Sequence, residues 1–160
     1  SSGLLGAIGI LGGGIIADKL APRDKRWYMW VPAIVGFIGV PFFITVFLTE
    51  AKYTALILSC IPGLLINVYL GNSIATAHAL VGARMRAMAS AILFFILNLI
   101  GLGMGPSAVG FLSDYLEPTY GVESLRYAMV FLIPAALFWS SCHFMLATRT
   151  LREDLANAPD

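Results

Sequence analysis

Charged residues are scarce in this sequence and are confined to a few short segments. Only 12% of the 160 residues are Asp, Glu, Lys or Arg, whereas about a quarter is usual in soluble domains. Five stretches contain no charged residue, namely 1–17, 27–49, 53–83, 87–113 and 127–148. Four of them exceed the roughly 20 residues that cross a bilayer core of about 30 Å. Because a charge at mid-membrane costs at least about 2.5 kcal/mol, the pattern predicts an all-α integral membrane protein.

The sequence lacks the residues that several classes of function need. Cys60 and Cys142 both lie in apolar runs and show neither a disulfide framework nor metal-ligand spacing. The sequence contains no nucleophile elbow, no pair of metal-spaced histidines and no phosphate-binding loop, and its net charge is only +1. Asp18 and Asp114 lie at predicted membrane edges. We therefore expect no enzyme activity, no cofactor, no metal and no nucleic-acid partner.

Five transmembrane spans are predicted, at about 1–18, 29–48, 54–77, 88–112 and 127–148, with a short cytoplasmic tail at 149–160. The first span begins at the first residue without a signal peptide, so we expect a further N-terminal part to precede it. Eight of the ten basic residues fall on one side of the membrane, in clusters at 19–26, 84–86 and 149–152. Since basic residues stay inside, the C-terminus is predicted to be cytoplasmic, and the tail is expected to be frayed.

Polar side chains inside the spans concentrate in the third predicted span. Four of them share one helical face, and they are Tyr69, Asn72, Ser73 and Thr76. Asn67 lies beside this face, and Asn98 is the one amide in the middle of the fourth span. Buried amides in lipid are costly unless they have partners. These side chains therefore either form hydrogen bonds between helices or line an aqueous cavity, and the sequence leaves both alternatives open.

Glycine and proline mark two further segments. Gly3, Gly6, Gly9 and Gly12 follow one another at three-residue steps in the first span, which gives a smooth face for packing against a neighbouring helix. In the fourth span, Gly101 precedes the pair Gly105-Pro106. Pro106 has no N–H and its ring disrupts the preceding turn, so this helix is predicted to be bent or loosened in its outer half.

Three segments resemble signatures of the major facilitator superfamily. Gly14, three residues, Asp18, Lys19 and a short basic loop resemble its cytoplasmic loop motif, with Ala21 in place of the usual glycine. The segment 101–110 resembles the glycine-proline region of its eleventh helix, and 84–86 resembles the loop before that helix. The resemblance covers the whole chain, identifies spans one to five as helices eight to twelve, and is strongest to spinster-type members.

The resemblance implies that residues 1–160 are a partial C-terminal bundle of a secondary active transporter in the cell (inner) membrane. Such transporters work by alternating access between two six-helix bundles. The implied substrate is a small amphipathic or anionic organic solute, in a class that includes lysolipids and sphingolipids, and coupling to protons is implied. The implied partners are membrane lipid, the substrate and the missing N-terminal half bundle.

Three groups of functional residues follow from the polarity pattern and the resemblance together. The candidate substrate-cavity residues are Asn67, Tyr69, Asn72, Ser73 and Asn98. The candidate cytoplasmic gate residues are Asp18, Lys19, Arg23 and Arg26. The candidate helix hinge consists of Gly101, Gly105 and Pro106. Three alternatives remain: a sugar-acid or organic-anion transporter of the same superfamily, a membrane assembly protein that transports nothing, and a membrane-embedded enzyme acting on lipid.

Overall fold

A computed structural model describes residues 2–159, and the regular secondary structure of this part is entirely helical. The α-helices are α1 (Ser2–Leu20), α2 (Trp27–Leu48), α3 (Lys52–Leu65), α4 (Val68–Ala79), α5 (Arg86–Ile96), α6 (Gly105–Tyr120), α7 (Ser124–Ala147) and α8 (Leu151–Ala156). A π-helical segment, Leu97–Met104, joins α5 to α6, and short 3₁₀ turns precede α5 and α7.

Four helical stretches in residues 2–159 are long and apolar enough to cross a membrane: Gly3–Leu20, Trp27–Leu48, Lys52–Ala79 and Ala83–Ala147. The last has 65 residues, and as one straight helix it would extend about 97 Å, roughly three bilayer cores. Instead the chain turns back at Gly121, whose φ of 54° suits a glycine. The hydroxyls of Ser113 and Ser124 then lie 3.1 Å apart, which shows that α7 returns along α6.

The third predicted span is divided into two helices. Pro62 and Gly63 weaken its first half, α3 ends at Leu65, and α4 starts at Val68. Asn67 occupies the break, where its side-chain amide donates a hydrogen bond to the carbonyl of Gly63 over 3.1 Å. The predicted span is therefore not one continuous helix, because it is interrupted at residues 66–67.

The glycines of α1 form a packing face. A Cβ built on Gly9 would collide with the carbonyl oxygen of Leu64, and one on Gly13 would lie 2.6 Å from a methyl carbon of Val68. Small residues in membrane bundles allow this close approach of two backbones. Gly6, Gly9 and Gly13 therefore serve the contact between α1 and the pair formed by α3 and α4. A Cβ on Gly3 or Gly12 of the predicted face would instead meet nothing within 4 Å.

A second close contact joins α2 to α7. Gly36 leaves room for Ser141, whose hydroxyl occupies the place of a missing Cβ, and the rings of Phe37 and Phe138 lie 5.5 Å apart in an edge-to-face arrangement. At the C-terminal end of α2, the guanidinium of Arg126 donates to the carbonyl oxygens of Phe47 and Leu48. These carbonyls end α2 and lack partners within the helix, so Arg126 caps α2 and fixes it to α7.

The α1 contact predicts an unequal response to two similar substitutions. Gly9→Ala should lower the thermal unfolding midpoint in detergent, because the added methyl group meets backbone and overpacking costs about 1–3 kcal/mol. Gly12→Ala is the matched control, since a Cβ there meets nothing within 4 Å. Equal midpoints for the two variants would contradict the assignment of this packing face.

Candidate functional site

The predicted gate residues lie at one end of the bundle. Asp18 is in the last turn of α1, and its Oδ1 accepts a hydrogen bond of 2.8 Å from the hydroxyl of Tyr28 in the first turn of α2. Asp18, Lys19 and Arg23 are exposed, whereas Arg26 is half-buried. The geometry therefore leaves three charged side chains of the predicted gate accessible at this surface, and their role in gating stays a prediction.

The basic loop 21–26 is tied to the C-terminal helix. The guanidinium of Arg152 donates two hydrogen bonds to the carboxylate of Asp24, with N–O distances of 2.6 and 3.1 Å. Leu151 is only 3% exposed. The expectation of a frayed tail is therefore wrong for 151–156, because an ion pair with fork geometry and a buried leucine dock α8 on the loop.

The Asp24 carboxyl has a lowered pKa. The backbone N–H of Arg26 donates to Oδ1 over 3.0 Å and makes the largest contribution, and Arg152 adds two hydrogen bonds and its positive charge. Desolvation opposes these effects but does not cancel them. Asp24 therefore stays ionised in the folded protein and organises both the loop and the start of α2.

The candidate cavity amides satisfy their donors within their own segments. Asn67, Asn72 and Asn98 each donate to the carbonyl four residues earlier, over 3.1, 3.2 and 2.7 Å. Asn67 also packs on the glycine face of α1, 3.3 Å from the position of a Cβ on Gly6. Such bonds leave each side-chain oxygen free as an acceptor. Within residues 2–159, none of the three amides donates to a helix that packs against its own helical stretch.

The five candidate cavity residues are not brought together around one space. Asn72 is 1% exposed, and its Oδ1 has no hydrogen-bond partner within residues 2–159. Ser73 is half-buried and Asn98 is exposed. Tyr69 lines a groove between helices, where its ring centroid lies 6.4 Å from that of Phe144. Only the tyrosine therefore faces the large groove, and a substrate role for the five residues stays a prediction.

That groove lies between α2, α4, α7 and the π-helical segment and has a volume of about 550 Å³. Along α7 it runs from Ile133 to Phe144, a rise of about 16 Å. Aliphatic and aromatic side chains form most of its walls, and Tyr69, Ser140 and Ser141 are its polar members. The groove is long, is lined by apolar side chains and lies between the helices named above. It therefore suits an elongated apolar occupant.

The candidate hinge coincides with the π-helical segment. Leu97–Met104 has π geometry, and α6 starts at Gly105. Pro106 cannot donate a backbone hydrogen bond, which favours a widened turn before it. Cβ atoms built on Gly101 and Gly105 would meet nothing within 4 Å. The loosening predicted from the sequence is therefore present, while movement about it stays a prediction.

Sequence reasoning missed three contacts at this end of the bundle. They are the hydrogen bond from Tyr28 to Asp18, the ion pair of Asp24 with Arg152, and a 2.6 Å contact between His78 Nε2 and Ser90 Oγ that joins α4 to α5. The partners lie 10, 128 and 12 residues apart in sequence. No local pattern signals such pairs, because tertiary packing creates them.

Comparison with known proteins gives consistent results. No family model matches the chain. An MFS-type efflux pump of Mycolicibacterium smegmatis (strain ATCC 700084 / mc(2)155) is 31% identical over 155 residues, which are 97% of this chain and 36% of the pump. Two crystal structures of a bacterial homologue of the human lysosomal transporter Spinster, both inward-facing, are 25% identical over 94% of this chain. The TM-score is 0.80 for the unoccupied and 0.77 for the occupied structure, and the chain covers 38% and 40% of them.

These similarities define the class of protein. The fold is that of a helical membrane transporter, and the proteins that share it here are transporters, not enzymes. The chain is similar to members of the major facilitator superfamily, and to the spinster-type members in particular, as the sequence motifs predicted. It spans between about a third and two fifths of the length of these relatives.

The lowered pKa of Asp24 predicts how the α8 contact responds to acid. A depressed carboxyl pKa stabilises the fold above the ordinary value of 3.8, and this contribution is lost as the pH falls through the folded-state pKa. Asp24→Asn should therefore lower the thermal midpoint at pH 7, and the gap to the unsubstituted protein should close below about pH 4. A gap of constant size across this range would contradict the assignment.

Proposed function

We propose that this chain forms most of the second helical bundle of a secondary transporter that works by alternating access. The observation that carries the proposal is the fold match over 94% of the chain to the Spinster homologue. The similarity to an efflux pump supports the same class of activity. A membrane assembly protein that transports nothing remains a second candidate, without a structural observation in its favour.

The proposed substrate is a small amphipathic or anionic organic solute, such as a lysolipid or a sphingolipid. The likeness to a homologue of a lysosomal transporter supports this class. Coupling to protons is part of the proposal, and the proton-binding group would lie in the helices that precede this chain; the alternative is a uniporter. The reason for this placement is that the acidic residues of 2–159 lie in loops or within about two turns of a helix end, with Asp114 of α6 the most interior of them. A sugar acid or another organic anion is the alternative substrate.

The proposed orientation has a cytoplasmic C-terminus in the inner membrane. The ion pair of Asp24 with Arg152 brings the basic loop and the C-terminal helix to one end of the bundle. Arg126, Glu123 and the end of α2 meet at the opposite end. Six basic residues therefore gather at the first end within 19–26 and 149–152, which favours that end as the cytoplasmic side.

The proposed partner is the missing N-terminal half of the transporter. The groove between α4 and the π-helical segment would receive apolar side chains from one of its helices, because the groove is apolar, about 16 Å long and glycine-lined at Gly101. Large apolar side chains of α5 and the π-helical segment are exposed beside it, including Ile92, Phe95 and Leu99. Further helices and lipid would cover this surface in the complete protein.

The proposed gate acts through charge. Asp18 at a helix end can accept hydrogen bonds from the N-terminus of a facing helix or pair with an arginine. Arg23 can reach carboxylates or helix C-termini of the other bundle. Formation of these contacts would hold the cytoplasmic side shut, and opening would have to break them.

The gate can be tested with a nearly isosteric substitution. Asp18→Asn in the complete transporter should slow uptake into proteoliposomes by about tenfold, the loss expected when one hydrogen bond to a charged group is removed. Folding should be little affected, because Asp18 is exposed. Normal uptake by a correctly inserted Asp18→Asn protein would refute the gate.

The proposed contact between this groove and a helix of the missing half can be tested by filling the groove. Gly101→Phe should reduce co-purification of this chain with the preceding half of the transporter, expressed as a separate polypeptide, because the ring would occupy space that the side chains of that helix need. Ala135→Phe is the control, since Ala135 is exposed on α7 and does not line the groove. Equal recovery of the partner half with both variants would mean that the groove does not make this contact.

A further inference from the structure

Tyr28, in the first turn of α2, makes a contact at the candidate gate that the sequence did not predict. Its hydroxyl donates a hydrogen bond of 2.8 Å to Oδ1 of Asp18. We propose that Tyr28 is a positioning residue of the gate, which orients the Asp18 carboxylate and leaves its second oxygen free for the other half bundle. This inference rests on the proposed function, because it assumes that Asp18 belongs to a gate.

The donor is fixed by packing in the bundle. Tyr28 packs against the buried cluster of Ala17, Val31 and Val68, which come from α1, α2 and α4. The position of the hydroxyl is therefore set by contacts among three helices. A change in the relative position of these helices would move the hydroxyl, and the Asp18 carboxylate would move with it.

The chemistry of the donor also matters. A phenol is neutral, so its hydrogen bond holds the carboxylate while leaving the full negative charge in place. That charge is what a facing arginine or the positive end of a helix recognises. A cation in the place of the hydroxyl would orient the carboxylate equally well but would neutralise it.

Lys25 is a cation near Asp18. Lys25 lines the same cavity of about 380 Å³ as Asp18 and Tyr28. In residues 2–159 the observed ion pairs are those of Arg126 with Glu123 and of Arg152 with Asp24, so Asp18 is not paired with Lys25. The ammonium of a lysine sits on a flexible stem. Removal of the Tyr28 hydroxyl would therefore leave Asp18 open to pairing with Lys25.

The test uses Tyr28→Phe in the complete transporter, with Tyr53→Phe as the matched control. Tyr53 is 84% exposed, far from the gate in sequence. Tyr28→Phe should slow uptake by about tenfold, the effect of one hydrogen bond to a charged group, and Tyr53→Phe should not. In an Asp18→Asn background Tyr28→Phe should add no further loss, because a positioning residue acts only through the group that it positions.

A second measurement does not depend on transport. With Cys60, Cys142 and every other cysteine of the complete transporter replaced by serine, a thiol reagent is applied from the cytoplasmic side to Ser73→Cys protein. Ser73 is half-buried and belongs to the predicted cavity, so its alkylation rate reports how often that cavity becomes accessible. Tyr28→Phe should raise this rate, and in Asp18→Asn protein it should cause no further rise. Two results would overturn the role of Tyr28. One is an unchanged alkylation rate and unchanged uptake in Tyr28→Phe protein. The other is a double variant in which the effects of Tyr28→Phe and Asp18→Asn multiply.

The two measurements also separate this inference from the proposed function. Should the unsubstituted protein move none of the tested solutes, the proposed transport activity fails. The coupled change in alkylation at Ser73→Cys would then still support positioning of Asp18 by Tyr28. Uptake that depends on Asp18 but not on Tyr28 would leave the gate intact and remove the positioning role.

Discussion

The close approach of helices at glycine is the contact on which the rest of this structure depends. Gly9 and Gly13 bring α1 against the pair α3 and α4, and Gly36 brings α2 against α7. In lipid there is little hydrophobic force between helices, so association relies on van der Waals contact and on hydrogen bonds. These two contacts fix the positions of α1 and α2, and the end of α1 and the loop between the two helices carry the candidate gate residues.

The end of the bundle that carries the loop 21–26 is more organised than a loop and a tail would suggest. Asp18 is held by Tyr28, and Asp24 is held by Arg152 of α8. One contact reaches into the core formed by three helices, and the other reaches the C-terminus. The end of α1 and the loop 21–26 are thus positioned from both sides, by α2 and by α8.

The sequence predicted the features that follow from segregated charge and from local chemistry. The charge-free stretches overlap the helices, although α6 continues past Asp114 to Tyr120, and Pro106 follows directly after the π-helical segment. Both effects act on neighbouring residues. The break at Asn67 and the pairing of Asp24 with Arg152 could not be predicted, since they depend on which helices meet. The alternatives for Asn72 also stayed open, because a polar pattern on a helix does not tell which neighbour it faces.

The central claim is that this chain is the greater part of one half of a transporter. The most direct test is uptake by the complete protein in proteoliposomes, with lysolipids and sugar acids offered in turn under an imposed proton gradient. The account predicts that one of these solutes accumulates against its own gradient and that accumulation collapses when the proton gradient is dissipated. A correctly folded and inserted protein that accumulates none of them would contradict it.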